Sequence, residues 1–203
     1  MSGASTPVFE LSGGTLCLDF VNTWEDRERP ETERLHAYPD LVTFARQAGA
    51  LEPPAASVLL ELAARAPARS AEAFADARRF REVLYRIFSA LAAGRQPGEE
   101  EVRRLNALLP EALSRLRIRP QDGGFSWRTL ASPDPAAPLW PIVHSAAELL
   151  TAGDLGRIRE CDGARCTWLF LDRSRNRSRR WCSMQTCGNR AKARRHQRRR
   201  QEV

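Results

Sequence analysis

The sequence predicts a mainly α-helical protein with one small β-hairpin, an α+β fold in two parts: a helical N-terminal domain (residues 1–153) and a small C-terminal module (residues 154–203). Apolar residues recur at helical spacing through most of the first part, which indicates amphipathic helices. The spacing then changes to alternation on both sides of a glycine pair, a pattern typical of a hairpin. The last part instead concentrates cysteine and arginine.

Composition restricts the class of protein. The chain has 203 residues, enough for two domains, and 42% of them are hydrophobic, which suits a globular protein. No run approaches the ~18 apolar residues of a membrane-spanning helix, and residues 1–15 show no secretory signal. A cytoplasmic location without a membrane partner is therefore expected. In a reducing compartment, the five cysteines indicate metal binding or free thiols rather than disulfides.

The opening segment does not predict a single structure. Residues 8–11 predict a short strand followed by a turn, and residues 16–24 fit either a helix or a strand. Several polar side chains nearby are interpreted as a capped turn with solvated groups, while a ligand site for a small-molecule effector stays open as the alternative. These residues are Asp19, Asn22, Thr23, Arg27 and His36.

Two helices are predicted next from their end signals and apolar stripes. The first runs from a cap at Asp40 to about residue 47, where Gly49 ends it. The second opens at a proline pair and is expected to turn Val58, Leu59 and Leu62 inward.

Two longer helices follow. One runs from a cap at Ser70 to about residue 93 and carries a continuous apolar stripe ended by Gly94. The other spans about residues 99–116, and Pro110 is expected to kink or split it, because proline lacks the amide hydrogen that a helix interior needs.

The helical spacing ends at the hairpin. Residues 116–119 and 125–130 alternate around a turn with two glycines, and residues 141–150 form one more helix, after which Gly153 marks the domain boundary. Trp127 and Trp140 are expected in the core or at its edge, and Cys17 as a small buried residue.

Basic residues are concentrated at the C-terminus. The chain has 32 Lys and Arg residues, and 15 of them lie from Arg157 onward, together with only four of the 25 Asp and Glu residues. The rest of the chain therefore holds 17 basic and 21 acidic residues. A nearly neutral body with an intensely basic end is the expected footprint of binding to a polyanion.

Four cysteines in this basic segment have the spacing of a metal site. They form two pairs, Cys161 with Cys166 and Cys182 with Cys187, and four residues separate the members of each pair. Cysteine thiolates are soft ligands that suit tetrahedral Zn²⁺, and Gly163 supplies a turn inside the first pair. The sequence thus predicts a four-cysteine zinc finger with one structural Zn²⁺ ion. Such a site has no open coordination position for catalysis.

Arginine-rich runs on either side of the second cysteine pair are the predicted nucleic-acid contacts. Residues 173–180 are expected to form a phosphate-contacting loop, and residues 189–200 a helix that begins at the metal site. A disordered, solvated tail is the alternative. Arginine binds phosphates as well as guanine edges, and the sequence does not separate these roles. The candidate contacts are Arg173, Arg175, Arg177, Arg179, Arg180, Asn189, Arg190, Lys192, Arg194, Arg195, Arg198 and Arg199.

Two stretches carry a family resemblance. Residues 174–190 read SRNRSRRWCSMQTCGNR, with two further cysteines upstream, and residues 16–23 read LCLDFVNT. The first stretch resembles the CGNR zinc finger, which is named after its last four residues. The second is similar to the opening of the ABATE domain, the N-terminal partner of that finger. The resemblance implies zinc at the four cysteines, DNA as the target, and a bacterial stress-related transcription regulator.

These observations predict a transcription regulator whose arginine-rich module binds duplex DNA sequence-specifically, in the cytoplasm and at the nucleoid when bound. The N-terminal domain would support a homodimer or sense a small molecule. An RNA-binding accessory protein is one alternative, but such modules usually offer stacking aromatic residues, and the only tryptophans of the tail, Trp168 and Trp181, are both expected in the core. An adaptor for an acidic protein partner is another. An enzyme is not expected, because no Gly-rich phosphate loop, HExxH or GxSxG motif occurs.

Overall fold

The computed structural model describes residues 7–151 and 154–201, apart from the side chains of Arg199 and Gln201. The predicted boundary at Gly153 lies outside these residues. The helices are α1 (Leu16–Val21), α2 (Tyr38–Gln47), α3 (Pro53–Arg65), α4 (Pro67–Ala92), α5 (Glu99–Ser114), α6 (Trp140–Thr151) and α7 (Asn189–Gln201). The strands are β1 (Leu116–Gln121), β2 (Gly124–Thr129), β3 (Ile158–Glu160) and β4 (Leu169–Leu171). The predicted α+β class is confirmed.

Helix α4 is the centre of the helical body, which comprises α1 to α6. Its predicted apolar stripe is buried, with Leu84, Ile87 and Phe88 fully inaccessible, and α1, α2, α3 and α5 pack against it. Helix α6 packs on both α1 and α5, which closes the core from the other side. No helix among the described residues has the length and hydropathy to span a membrane.

The opening segment contains a helix but not the predicted strand. Residues 16–21 form α1, which resolves the ambiguity of the sequence. Residues 8–11 are not a strand: Val8 is 81% exposed, whereas Phe9 is buried with its ring centre 5.5 Å from that of Phe44. The Phe9 amide donates to the Gln47 side chain at 3.0 Å. The segment is therefore held by α2 and pairs with no described strand.

Two predicted helix caps are wrong by about one turn. Helix α2 begins at Tyr38, and Asp40 lies inside its first turn, where the carboxylate accepts the amides of His36 and Ala37 at 2.8 and 3.0 Å. Helix α4 begins at Pro67, because proline is well suited to a first helical turn, and Ser70 is buried within the helix.

One expectation within a helix is also wrong, and one of the two alternatives given for Pro110 is excluded. Val58 is 43% exposed rather than inward, because α3 buries Ala56 and Leu59 on its core face. Pro110 does not split α5, which is continuous from Glu99 to Ser114. Pro110 lies on the exposed face, where the carbonyl that loses its helical donor can bind water instead.

The hairpin forms as predicted, but one of its faces is open. Strands β1 and β2 pair antiparallel, and Asp122 and Gly123 make the two-residue turn with positive φ of 21° and 79°. Trp127 is 52% exposed and is not a core residue, and its ring centre lies 5.9 Å from that of His144 in a T-shaped arrangement. Trp140, by contrast, is buried as expected.

The cysteine-containing module joins the helical body through its strands. Strand β3 pairs antiparallel with β4, and Ile158 and Leu169 belong to the same apolar core as α1 and α4. The Asn22 side chain at the end of α1 donates to the Leu169 carbonyl and accepts the Leu169 amide, both at 2.8 Å. Strand β4 is thereby held on the helical body.

Candidate metal centre and nucleic-acid interface

The four cysteines predicted to bind metal come together in one buried cluster. Among the described residues, the Sγ atoms of Cys161, Cys166, Cys182 and Cys187 all lie within 4.8 Å of one another, and none forms a disulfide. The Cys166 and Cys182 Sγ atoms are 3.8 Å apart. A tetrahedron with Zn–S distances of ~2.3 Å has an edge of ~3.8 Å, so this donor set fits one Zn²⁺ ion.

Backbone geometry around the cluster is suited to thiolates. The amides of Gly163 and Cys182 donate to the Cys161 Sγ atom at 3.4 and 3.3 Å. Two backbone donors to one sulfur stabilise its thiolate form, which metal coordination requires. The metal, when bound, crosslinks the two cysteine pairs.

A glycine is required beside the cluster. A Cβ atom at Gly163 would lie 2.9 Å from the Cys187 Sγ atom and 3.3 Å from that of Cys161. Both contacts are closer than carbon and sulfur tolerate without displacement. Because Gly163 has no side chain, it leaves room for the cysteine sulfurs to converge.

The first arginine run, residues 173–180, closes around a buried carboxylate. Asp172 is fully inaccessible and accepts the amides of Ser174 and Arg179 at 2.8 and 3.1 Å. Arg157 donates to the carbonyls of Asp172 and Ser174 at 3.0 and 3.3 Å. The run is thus a folded loop with defined geometry.

Three of its arginines are engaged within the protein. The Arg179 guanidinium lies 4.2 Å from the centre of the Phe170 ring and donates to the carbonyls of Ser12 and Trp181 at 2.9 and 3.0 Å. Arg173 donates to the Gly14 carbonyl at 2.9 Å, and Arg180 pairs with Asp162 at 2.7 Å. The Arg179 side chain therefore stabilises the folded conformation of the 173–180 loop.

Two other arginines of the run face solvent. Arg175 and Arg177 are exposed and make no side-chain hydrogen bond or ion pair within residues 7–151 and 154–201. Arg177 occupies a left-handed conformation with φ of 50°, at the tip of the turn.

Helix α7 begins at the metal centre, as the sequence predicts. A single π-helical turn, Met184–Gly188, presents Cys187 and leads directly into the helix. Arg190 pairs with Glu25 of the helical body at 2.9 Å and donates to the Cys187 Sγ atom at 3.3 Å. Asn189 donates to the Gln185 carbonyl at 3.2 Å. These two candidate contacts thus also fix the start of α7.

The remaining basic side chains of α7 have no acidic partner in the part of the chain that the structure describes. The Arg199 side chain lies outside that part. The residues concerned are Lys192, Arg194, Arg195, Arg198 and Arg200.

Comparisons with known families agree with this arrangement. Residues 14–153 match the ABATE family, described as "Putative stress-induced transcription regulator". The chain belongs to the ABATE family. Residues 157–200 match the CGNR zinc finger, so the four clustered cysteines are the zinc site of a CGNR finger. Both descriptions are of regulatory and zinc-finger types rather than of enzymes. No curated protein matches the chain.

A loop of the ABATE domain, residues 24–33, holds the CGNR finger in place; we refer to it as the 24–33 loop. The Thr167 amide donates to the Glu25 carbonyl at 2.8 Å. Arg27 donates to the Thr167 hydroxyl at 2.8 Å and pairs with Glu82 at 2.9 Å. Its guanidinium also stacks 3.7 Å from the Tyr85 ring centre. The loop therefore connects the finger to α4.

The interpretation of the N-terminal polar residues as solvated is wrong for most of them. Asp19, Asn22 and Thr23 are buried, and the Arg27 side chain is only 11% exposed. His36 alone of the five is exposed. The reason is that α1 and the segment after it lie between α4 and the finger, so their polar groups bond across that junction.

A buried ion pair of the ABATE domain was not predicted. Arg81 of α4 is 1% exposed and donates to the Glu33 carboxylate at 2.7 Å and to the Thr23 hydroxyl at 2.9 Å. Although burial raises the pKa of Glu33, the hydrogen bonds and charge of Arg81 hold it below its usual range. The only sequence signal was an arginine beside the apolar stripe of α4.

A cavity of about 700 Å³ is lined by residues of both α1 and the finger. Asp19 and Trp168 line it, together with Asn189 and Arg190 at the start of α7. Burial raises the pKa of Asp19 to about 6, against the opposing effects of the Gly13 amide and the Arg179 charge. A bound molecule here would contact both the ABATE domain and the CGNR finger.

Proposed function

We propose that the protein regulates transcription by binding duplex DNA sequence-specifically through α7. The observation that carries this proposal is helix α7 itself, which begins beside the last zinc ligand. Beyond its first turn, its basic side chains form no ion pair with an acidic group in the described part of the chain. At 13 residues it is ~20 Å long, sufficient to lie along the major groove. Because the metal centre fixes its first turn, the helix has a defined direction.

The 173–180 loop offers two further cations. Arg175 and Arg177 are exposed on it, so they are available to neighbouring phosphates. Arg173, Arg179 and Arg180 bond within the protein, which favours a positioning role for them. We expect Arg175, Arg177 and the outer face of α7 to make most contacts.

Duplex DNA is favoured over single-stranded RNA by the position of the aromatic residues. Recognition of unpaired bases commonly uses exposed rings on which the bases stack. Within the finger, Trp168 is 6% exposed and Trp181 packs against the cysteine cluster, so neither tryptophan ring beside α7 is free for stacking.

The test is selection of random duplex DNA with zinc-loaded, full-length protein at physiological salt, with single-stranded RNA and an acidic peptide in parallel. An enriched duplex motif supports the proposal. Retention of RNA alone, or of the acidic peptide alone, would favour the corresponding alternative.

Two variants locate the interface. Arg198→Gln on α7 should weaken binding and reduce the slope of log affinity against log salt by about 0.9 for each phosphate that the variant no longer neutralises. Arg65→Gln, an exposed arginine on α3, removes the same charge and should leave both quantities unchanged.

A homodimer, a small-molecule effector and action at the cytoplasmic nucleoid are further parts of the proposal. Dimers of bacterial regulators read paired half-sites, so a two-fold symmetric motif would support the dimer. The cavity beside Asp19 is the site that we propose for the effector, since it touches the first turn of α7. Native mass spectrometry of the purified protein would reveal both a dimer and a retained small molecule.

A further inference from the structure

The ABATE domain and the CGNR finger share a second, basic cleft at their junction. It has a volume of about 430 Å³ and lies beside the start of α7. Four arginines line it, and Glu25 is the one acidic residue among the lining residues. The arginines are Arg29 of the ABATE domain and Arg165, Arg190 and Arg194 of the finger.

We propose that Arg29 of the 24–33 loop completes a phosphate-binding site in this cleft, so that the ABATE domain itself contacts the DNA backbone. The inference rests on the proposed function. It adds to that function a contact from outside the zinc finger, at two arginines, Arg29 and Arg165, that the sequence did not indicate.

The finger side of the cleft is built on the metal frame. Arg165 immediately precedes the ligand Cys166 and has a left-handed φ of 62°, so the turn of the first cysteine pair positions it. Arg190 is held by Glu25 and by the Cys187 Sγ atom. Arg194 follows one helical turn later on the same face of α7.

The ABATE side is held by hydrogen bonds within the 24–33 loop. The Arg29 carbonyl accepts the Thr32 hydroxyl at 2.8 Å and the Trp24 indole N–H at 3.3 Å. The Arg29 amide donates to the Asp26 carbonyl at 2.9 Å. An antiparallel backbone β-bridge between Trp24 and Glu33 joins the two ends of the loop. The backbone of Arg29 therefore has a defined position.

The two sides are fixed relative to one another. The Thr167 amide and hydroxyl both donate to the Glu25 carbonyl, at 2.8 and 3.2 Å, and Arg27 donates to that hydroxyl. These contacts lie within a few residues of the cleft on both chain segments. Ordering the cleft on binding therefore costs little conformational entropy.

The charges in the cleft suit a phosphodiester. Glu25 neutralises one of the four guanidinium groups, which leaves a surplus of positive charge. Arg29 pairs with Glu31 at 2.7 Å, but the two side chains are 46% and 61% exposed, and such a surface pair is weak enough for a phosphate to displace it. Arginine's planar fork can then bind two phosphate oxygens.

The experiment compares Arg29→Gln and Arg65→Gln in the full-length, zinc-loaded protein. Affinity for a duplex DNA is measured from low to physiological salt. Arg29→Gln should weaken binding by about 3- to 10-fold for all duplex sequences alike and reduce the salt slope by about 0.9 to 1. Arg65→Gln should change neither quantity. Zinc content and thermal midpoint should be unaltered, because the Arg29 side chain pairs only at the surface.

The outcomes separate this inference from the proposed function. If the wild type and Arg198→Gln behave as proposed while Arg29→Gln matches Arg65→Gln, the ABATE contact is overturned and DNA binding stands. If the wild type does not bind duplex DNA even at low salt, both are overturned. A sequence-dependent loss of affinity at Arg29→Gln would also contradict the inference, since a phosphate contact carries no base information.

Discussion

The helical body and the CGNR finger are stabilised by different means. Among the described residues, 31 buried apolar side chains form the body's core, and nearly all come from the ABATE domain. The finger's separate cluster contains only the four cysteines, Trp168 and Phe170, with Trp181 at its edge. Burial of a large apolar side chain contributes about 1.5–3 kcal/mol, so a cluster this small cannot compensate the cost of ordering a segment of this length. In the finger, metal coordination therefore takes the place of an apolar core.

The largest expected effect is on the finger's metal. Cys182→Ser removes a thiolate from a cluster in which all four sulfurs lie within 4.8 Å. Structural zinc sites contribute about 10–16 kcal/mol of apparent binding free energy, so the finger should lose zinc and its fixed structure. Metal analysis should give less than one zinc per chain, while helical circular dichroism from the body persists. Retention of a full equivalent would contradict the ligand assignment.

A substitution in the core of the helical body should lower stability but leave zinc binding intact. Leu84→Ala truncates a fully buried side chain in the centre of α4 and should lower the free energy of unfolding by about 2–5 kcal/mol. Urea denaturation measures this decrease. The folded variant should still bind one zinc ion, because the four cysteines belong to a cluster separate from the core that contains Leu84. Release of zinc at the same urea concentration in wild type and variant would show that the regions unfold independently.

Asp19 lies where the two regions meet and should make stability depend on pH. Its pKa is raised to about 6 in the folded state, against ~3.9 in an unfolded chain. The folded state therefore binds the proton more tightly, and stability should fall as pH rises from about 4 to about 6. Asp19→Asn keeps the oxygen that accepts the Gly13 amide and removes the buried charge. It should be more stable than wild type by up to about 2–3 kcal/mol at pH 7.5 and similar at pH 4. Parallel stability curves for the two proteins would contradict this.

The smallest expected effect is steric. Gly163→Ala places a Cβ atom 2.9 Å from the Cys187 Sγ atom, whereas Gly156→Ala meets nothing within 4 Å. We expect Gly163→Ala to weaken zinc affinity by about 10- to 100-fold, as disturbed metal surroundings commonly do, and Gly156→Ala to leave it unchanged. Competition with a chelator measures both.

The sequence predicted the finger more completely than the body. Ligand spacing and the basic helix are local patterns, and the cysteine cluster and α7 both formed where expected. The longest stripe, on α4, was equally clear, because a buried helix requires apolar residues at a fixed period.

The features that the sequence did not predict depend on tertiary contacts. The burial of Asp19 and Asn22 follows from the finger covering α1, which no local pattern encodes. The exposure of Trp127 follows from the hairpin extending beyond the helices, and composition alone would place a tryptophan inside. The engagement of Arg179 likewise depends on Phe170 and Ser12, which its own run does not indicate.

The packing of β3 and β4 has a consequence for protein engineering. Ile158 and Leu169 are fully buried in the core of the ABATE domain, although both lie within the stretch that matches the CGNR finger. A finger cut out at its family limits and fused to another protein would expose both side chains and leave the Leu169 backbone without Asn22. A transplantable unit would need polar substitutions at these two positions. The CGNR finger of this protein is consequently unsuited to transfer without the ABATE domain. A chimaera that keeps both should be joined upstream of α1.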